Sequence, residues 1–423
     1  MTQRVLSSLQ VAALLVSASY GIGFLFGSGE LALQHGMAGS IYGVATALGM
    51  LVLAVFAKRL WKAGIPVWEM FGRAYGARLQ NAVALLSLVW MAGVLAAQIQ
   101  GGVAVVGLLG LPGPFGQGAV LLLIYGASRL DLRFASSAFA VCLLASGVVL
   151  VYALLVADGM GIYIGAVPAF ARDLATFNPT RVVSMMLAVG ILVCTGADYH
   201  QFVLAARRPS AATVGCILAG LCLILIGFLP AAVVVAMNHA GSLDGVPDAK
   251  QVVPFVLARV AGTLGPGADK MLLVALSAAA LGSGAAIVRA MTSALASVAP
   301  HKRHESHPGL AVVAIAIGAV VAARGQGIVD TMVSVNIIYI ASIGVTFAVL
   351  LRGAVMPAAH AGAIVAAGFL VSFAAYLAGW AGWLGENADT ISLGCGLGAS
   401  AVVALFFAAR AAGSAHGIRG TGP

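Results

Sequence analysis

The chain has 423 residues, of which 61% are hydrophobic and only 8% charged, with a mean hydropathy of +1.06. A soluble domain carries about a quarter charged residues, so composition excludes a soluble enzyme or binding module and points to a polytopic membrane protein. The apolar runs are about 20 residues long and lack the alternation of a barrel, so the expected fold class is all-α.

The N-terminal MTQRVLSSLQVAALLVSAS imitates a signal peptide, with one Arg, an apolar core and small residues. Cleavage is not expected, because the apolar run continues through Phe26. The first span, roughly 8–34, carries SASYGIGFLFGSGE from Ser17 to Glu30, with Gly21, Gly23, Gly27 and Gly29, three serines and a carboxylate. Backbone that unwinds at membrane depth must line a cavity or be buried in protein. We read this stretch as a broken helix with a binding site at the break, as in secondary transporters. The GxxxG spacing of Gly23 and Gly27 also fits plain close packing of helices. A dinucleotide fingerprint is excluded, since it needs a preceding strand.

Hydropathy gives twelve spans, roughly 8–34, 38–57, 79–108, 116–128, 134–157, 181–205, 211–237, 268–296, 308–324, 329–352, 358–380 and 390–411. Segment 160–178 reads as interfacial, and 250–262 as a short amphipathic helix. The whole of 1–411 is expected to be a single transmembrane domain. It would hold a first inverted repeat over 8–157, a second over 181–352 and two further helices in 358–411, with 412–423 a short tail. Twelve spans put both termini on one side. With the termini in the cytoplasm, fifteen basic residues fall inside and six outside, the distribution the positive-inside rule requires. A cell (inner) membrane location follows. The net charge of +9 is then met by anionic lipid, with no need for nucleic acid. The HKRHESH cluster (301–307) reads as a loop touching head groups, with metal binding as the alternative. Five cysteines lie in apolar runs without metal spacing and read as packing residues.

Three ionisable residues remain inside spans: Glu30, Asp198 and Arg289. Buried charge is expensive, so each is a functional candidate. Asp198 sits in VCTGADYHQF, a second glycine-interrupted run, in the span that corresponds to the first if two repeats exist. It either faces the same cavity or pairs with Arg207 or Arg208. Arg289 reads as snorkelling or structural. Glu30 lies near the outer end of its span. Gln98 and Gln100 either face the cavity or bond to neighbouring helices.

Several segments, in order, resemble the sodium:solute symporter family. They are KRLWKAGIPVWEMFGRAYGARLQNAVALLSLVWMAGVLAAQIQGG (58–102), QFVLAARRPSAATVGCILAGL (201–221) and ADKMLLVALSAAALGSGAAIVRAMTSALAS (268–297). The resemblance covers roughly 8–352. It implies a LeuT-like fold of two inverted five-helix repeats with broken first and sixth helices. It also implies a sodium ion held by backbone carbonyls near Ser17, Tyr20 and Ala279 and by two hydroxyls of the eighth helix. That hydroxyl pair falls on Gly282 and Ser283, so one is missing here; a water, Ser277 or a shifted register would have to replace it. The chain also starts almost directly at the first core helix, without the family's usual leading helix. The substrate site would take Ser19, Gly21, Gly23, Thr46, Gln98, Asp198 and Tyr199.

The expected function is therefore a cation-coupled transporter, with Na+ (or H+) as coupling ion, importing a small polar solute by alternating access. The alternatives are a proton-coupled amino-acid or organic-acid transporter of related fold, and a transporter-like membrane sensor. The partners implied are a small-molecule solute and the lipid bilayer, with no obligate protein partner. No HExxH pair, nucleophile elbow or P-loop is present, so no enzyme activity is expected.

Overall fold

The computed structural model describes residues 4–111, 113–130, 132–246, 248–298 and 308–417; the HKRHESH cluster lies outside them. Helix α1 (Ser8–Ser19) begins at a capping box, with Ser7 and Gln10 satisfying each other's backbone N–H groups. It stops at Tyr20, and the chain resumes helix as α2 (Ile22–His35). A 3-10 turn, Gly36–Ser40, leads into α3 (Ile41–Ala63), which ends on left-handed Gly64 (φ +69). The short α4 (Val67–Tyr75) precedes α5 (Ala77–Leu108), α6 (Gly113–Ser128) and α7 (Leu132–Val156).

Two short helices, α8 (Met160–Ile164) and α9 (Ala166–Asp173), cross to α10 (Pro179–Thr195). Asn178 caps α10 by accepting from Thr180 N–H at 3.1 Å, with Pro179 in the first turn. Helix α11 (Ala197–Leu204) continues α10 at a bend of 43°. Then follow α12 (Pro209–Gly227), α13 (Leu229–His239), α14 (Val252–Gly262), α15 (Ala268–Val298), α16 (Pro308–Ala322), α17 (Ile328–Leu351), α18 (Ala358–Trp380) and α19 (Ala388–Gly417).

Among the described residues, seven helical stretches are long and apolar enough to cross a bilayer, and the bent α10–α11 pair is an eighth. The α1 segment is shorter because it is half of a broken span. Segment 250–262, expected to be amphipathic, carries Val252, Val253, Val256, Leu257 and Val260 into the core.

Residues of α2, α5 and α17 are buried along most of their length, whereas α18 and α19 expose large apolar side chains such as Leu370 and Leu405. That gradient suits a bundle whose outer helices face lipid. The packing has an internal order. Helix α1 lies on α12 and α10 lies on α3; α15 packs on α7 and α5 on α17; α15 packs on α6 and α5 on α16. Exchanging α1, α3, α5, α6 and α7 with α10, α12, α15, α16 and α17, in that order, turns the first member of each pairing into the second.

Candidate functional site

At the first break the Tyr20 N–H still donates to the Val16 carbonyl at 2.8 Å. The Gly21 N–H, which in a continued helix would take the Ser17 carbonyl, turns to the Ser19 carbonyl at 3.0 Å. Leu25 N–H then restarts the ladder on the Gly21 carbonyl. Among the described residues, nothing donates to the carbonyls of Ser17 or Tyr20. The first N–H groups of α2 have no side-chain cap either. The break therefore shows acceptors at one end and a helix N-terminus at the other.

Two neighbouring helices bring polar groups to it. A Cβ placed on Gly21 would lie 3.7 Å from Gln98 Nε2 of α5 and 4.0 Å from Ser283 Oγ of α15. Gln98 is buried, and its Oε1 has no partner. Thr46, Ser87, Thr195, Thr292, Thr331 and Ser342 all bond back to the carbonyl four residues earlier. Ser283 makes no such bond. Ala279 is one turn before it and buried. Ser277, six residues before Ser283, is about 9 Å along α15 and about a third of a turn around it, too far to share an ion with it.

The second break falls at Gly196. The carbonyls of Cys194 and Thr195 lose their helical donors there, and two buried side chains replace them. His200 Nε2 meets the Cys194 carbonyl at 2.8 Å, and the Tyr339 hydroxyl donates to Thr195 at 3.1 Å. Asp198 stands in the first turn of α11, its carboxylate beside the backbone N–H groups of that helix end. A carboxylate is favoured at a helix N-terminus. Its Oδ1 is shut off from solvent and has no partner. The pairing with Arg207 or Arg208 does not form; the ion pairs among the described residues are Arg172–Asp173 and Arg181–Asp330. The buried Tyr199 side chain lies close to Ser19, Asp198 and Tyr42, and α11 packs on α1. The two breaks thus meet.

Helix α17 adds residues that sequence reasoning passed over. Met332, Asn336 and Tyr339 are spaced to share one face. Met332 Sδ lies 3.3 Å from where a Gly23 Cβ would sit, and Tyr339 reaches the second break. Asn336, between them, is buried with both amide atoms unpartnered. Trp90 packs 6.5 Å from Tyr339, ring centre to ring centre, with its Nε1 unpartnered. The legible signal was Asn336, an amide in the apolar run VSVNIIYI.

Other expected residues lie apart or are engaged. The Ser17 hydroxyl is exposed on the flank of α1. Gly23 packs between Ala97 and Met332, and Gly27 and Gly29 admit Val329 and Val253. The Thr46 hydroxyl donates to the Tyr42 carbonyl at 2.8 Å. Gln100 turns away from Gln98 and donates to the Ala322 carbonyl at 3.2 Å. Arg289 donates to the carbonyls of Ala127 and Ser128 at the end of α6, both at 2.7 Å. Glu30 accepts from Ile328 N–H at 2.8 Å, capping α17. Replacing Glu30 by Ala leaves that N–H unpaired and lowers stability by about 1–3 kcal/mol, whereas Glu30→Gln keeps an acceptor and most of the stability; thermal unfolding of both variants measures the difference.

No family model matches the chain, and no curated protein matches it. Solved structures do. A Na+-coupled sialic acid symporter in a substrate-bound outward-open state aligns over 93% of this chain and 94% of its own, at 14% identity and a TM-score of 0.55. MhsT in complex with L-phenylalanine aligns over 95% and 99%, at 12% identity and a TM-score of 0.53. Mhp1, a nucleobase-cation-symport-1 family transporter in a closed conformation with bromovinylhydantoin bound, aligns over 95% and 92%, at 16% identity and a TM-score of 0.52. The chain is similar in fold to these transporters from end to end, with two helix breaks meeting inside an all-helical membrane bundle.

Proposed function

We propose that the protein is a cation-coupled secondary transporter of a small polar solute, working by alternating access around the two breaks. The observation that carries this is the contrast between them. At the second break buried side chains take up the freed carbonyls, while at the first the carbonyls of Ser17 and Tyr20 stay unpaired beside a free Ser283 hydroxyl. Oxygen ligands left unpaired in this way suit a hard cation. In this reading sodium binds between α1 and α15, through Ser17, Tyr20, Ala279 and Ser283. The paired packing of the two halves supports inverted repeats over 8–157 and 181–352, and the ordered resemblance supports membership of the sodium:solute symporter family. The basic residues support a cell-membrane location with cytoplasmic termini.

The solute site is formed by Ser19, Gly21, Gln98, Asp198 and Tyr199, joined by Asn336 of α17. The uncapped N-terminus of α2 favours a carboxylate on the solute. The unpartnered Oδ1 of Asp198 favours a hydrogen-bond donor or ammonium. Together they suit an amino acid or similar organic acid. A second reading, proton coupling through Asp198, is favoured by Gly282, which stands where a second hydroxyl ligand would.

Thermal unfolding of the purified protein in sodium, potassium and choline chloride at matched ionic strength separates the two. Sodium at about 100 times its dissociation constant stabilises the folded state by roughly 2.7 kcal/mol. A sodium-specific rise that Ser283→Ala abolishes is expected. A protein indifferent to sodium turns the reading to protons.

A further inference from the structure

A groove of about 670 Å³ runs along the outside of the bundle between α3, α10, α17 and α19, away from Gln98 and Ser283. Its walls are hydrocarbon. Leu48, Val52 and Leu187 line it while remaining 42%, 48% and 48% exposed, so it opens sideways toward the surrounding lipid. One end carries Arg59 and Arg352, on the face of the bundle that also holds Lys58 and the α17 C-terminus. Arg59 donates from Nη1 to the Leu351 carbonyl at 2.9 Å. Among the described residues no other hydrogen bond engages its guanidinium, and none engages that of Arg352. From that end the lining passes Thr195 and Cys194, the last turn of α10 before the second break, and runs on past Gly190 to Leu187 and Met186. A Cβ on Gly190 would meet nothing within 4 Å.

We infer that this groove holds one anionic phospholipid, its phosphate on Arg59 and Arg352 and an acyl chain lying along the groove past Thr195 toward Gly190. A guanidinium pair matches phosphate oxygens in number and geometry. Basic pockets between membrane helices take anionic head groups for this reason. Each methylene seated in the groove adds apolar contact, which inorganic phosphate cannot supply. A neutral phospholipid lacks the net charge that draws a head group to two cations. The site depends on the protein spanning a membrane and not on what it transports. Cys194 and Thr195 line it next to the second break, so an occupied groove braces the upstream half of the broken α10–α11 helix.

The test is lipid binding to the full chain in detergent, read by native mass spectrometry, with phosphatidylglycerol, phosphatidylcholine and inorganic phosphate titrated separately. Phosphatidylglycerol is expected to bind at least about tenfold more tightly than phosphatidylcholine, as two cations beside a head group predict. Arg59→Gln with Arg352→Gln removes that preference. Gly190→Leu fills the groove and weakens both lipids; Gly190→Ala, a smaller filler, weakens them less, and lipid-free thermal unfolding shows that both variants fold. Lys58→Gln, beside the groove but not lining it, leaves the preference intact. Equal binding of the two lipids overturns the proposal, as does a preference that survives the double Arg variant. Lys58→Gln matching the loss in the double variant, or Gly190→Leu binding like the parent, would mean a diffuse lipid annulus and overturn it too. So would inorganic phosphate competing fully with the lipid.

Discussion

Gly21→Leu inserts and folds like the parent protein but loses solute uptake, to about a hundredth or less, the scale of loss when bound groups are displaced from their working geometry. The backbone permits the change. Gly21 has φ −98 and ψ 179, extended backbone open to any residue. Its Cβ would sit at ordinary contact distance from Gln98 and Ser283. The rest of a leucine side chain has only the space between those groups to enter, which is the space proposed for ion and solute. Gly21→Ala, which adds only that Cβ, keeps the fold and part of the uptake. Gly23→Leu behaves oppositely in kind. Its Cβ would press on Ala97 and Met332 at 3.3 Å, so it costs stability first, about 1–3 kcal/mol for overpacking. Uptake into proteoliposomes, read beside thermal unfolding, separates the two. Normal uptake by Gly21→Leu would move the site away from the first break.

The second large effect has opposite signs in stability and activity. Asp198→Asn leaves stability unchanged or raises it while cutting uptake by about a hundredfold. A carboxylate withdrawn from water without a cationic partner is expensive to hold, and a neutral side chain of the same shape relieves that cost. The N-terminus of α11, in whose first turn the carboxylate stands, offsets part of the penalty. What remains is an Oδ1 with no protein partner, the atom proposed to meet the solute's donor. Loss of a hydrogen bond to a charged group weakens binding by about 1.5–3 kcal/mol, and the transport cycle needs that contact in each conformation it visits. The sodium-dependent rise in unfolding temperature persists in Asp198→Asn if sodium sits at Ser283. An Asp198→Asn protein that unfolds would make the carboxylate a structural cap, and one that transports normally would remove it from the site.

Much of this was legible along the chain because lipid enforces it. Long apolar runs must be helices, and a glycine-rich interruption must be protected. Both breaks fell in the two runs that hydropathy and glycine marked. What each glycine does was not legible. Gly21 sits at the gap, whereas Gly23, Gly27 and Gly29 make room for Ala97, Val329 and Val253 on other helices. Gln98 and Gln100 look alike in sequence, yet a helix turns about 200° between them. One faces the break, and the other bonds to the end of α16. Asn336 and Tyr339 read as packing until α17 was set against both breaks.

The charges divide the same way. Hydropathy marks Glu30, Asp198 and Arg289 as equally costly inside a membrane, because burial cost depends on the residue and its span. Whether that cost is offset depends on what stands opposite. Glu30 meets the start of α17, 298 residues away in sequence, and Arg289 meets the end of α6, 161 residues away. Among the described residues no ion pair engages Asp198, and it stands at the end of its own helix. Sequence alone determined that the protein is a helical membrane bundle with two interrupted spans and three charges within its spans, since local composition and the solvent dictate those. Only the tertiary structure decided which charge is left unanswered at the meeting of the breaks, since helix ends far apart in the chain supply the partners.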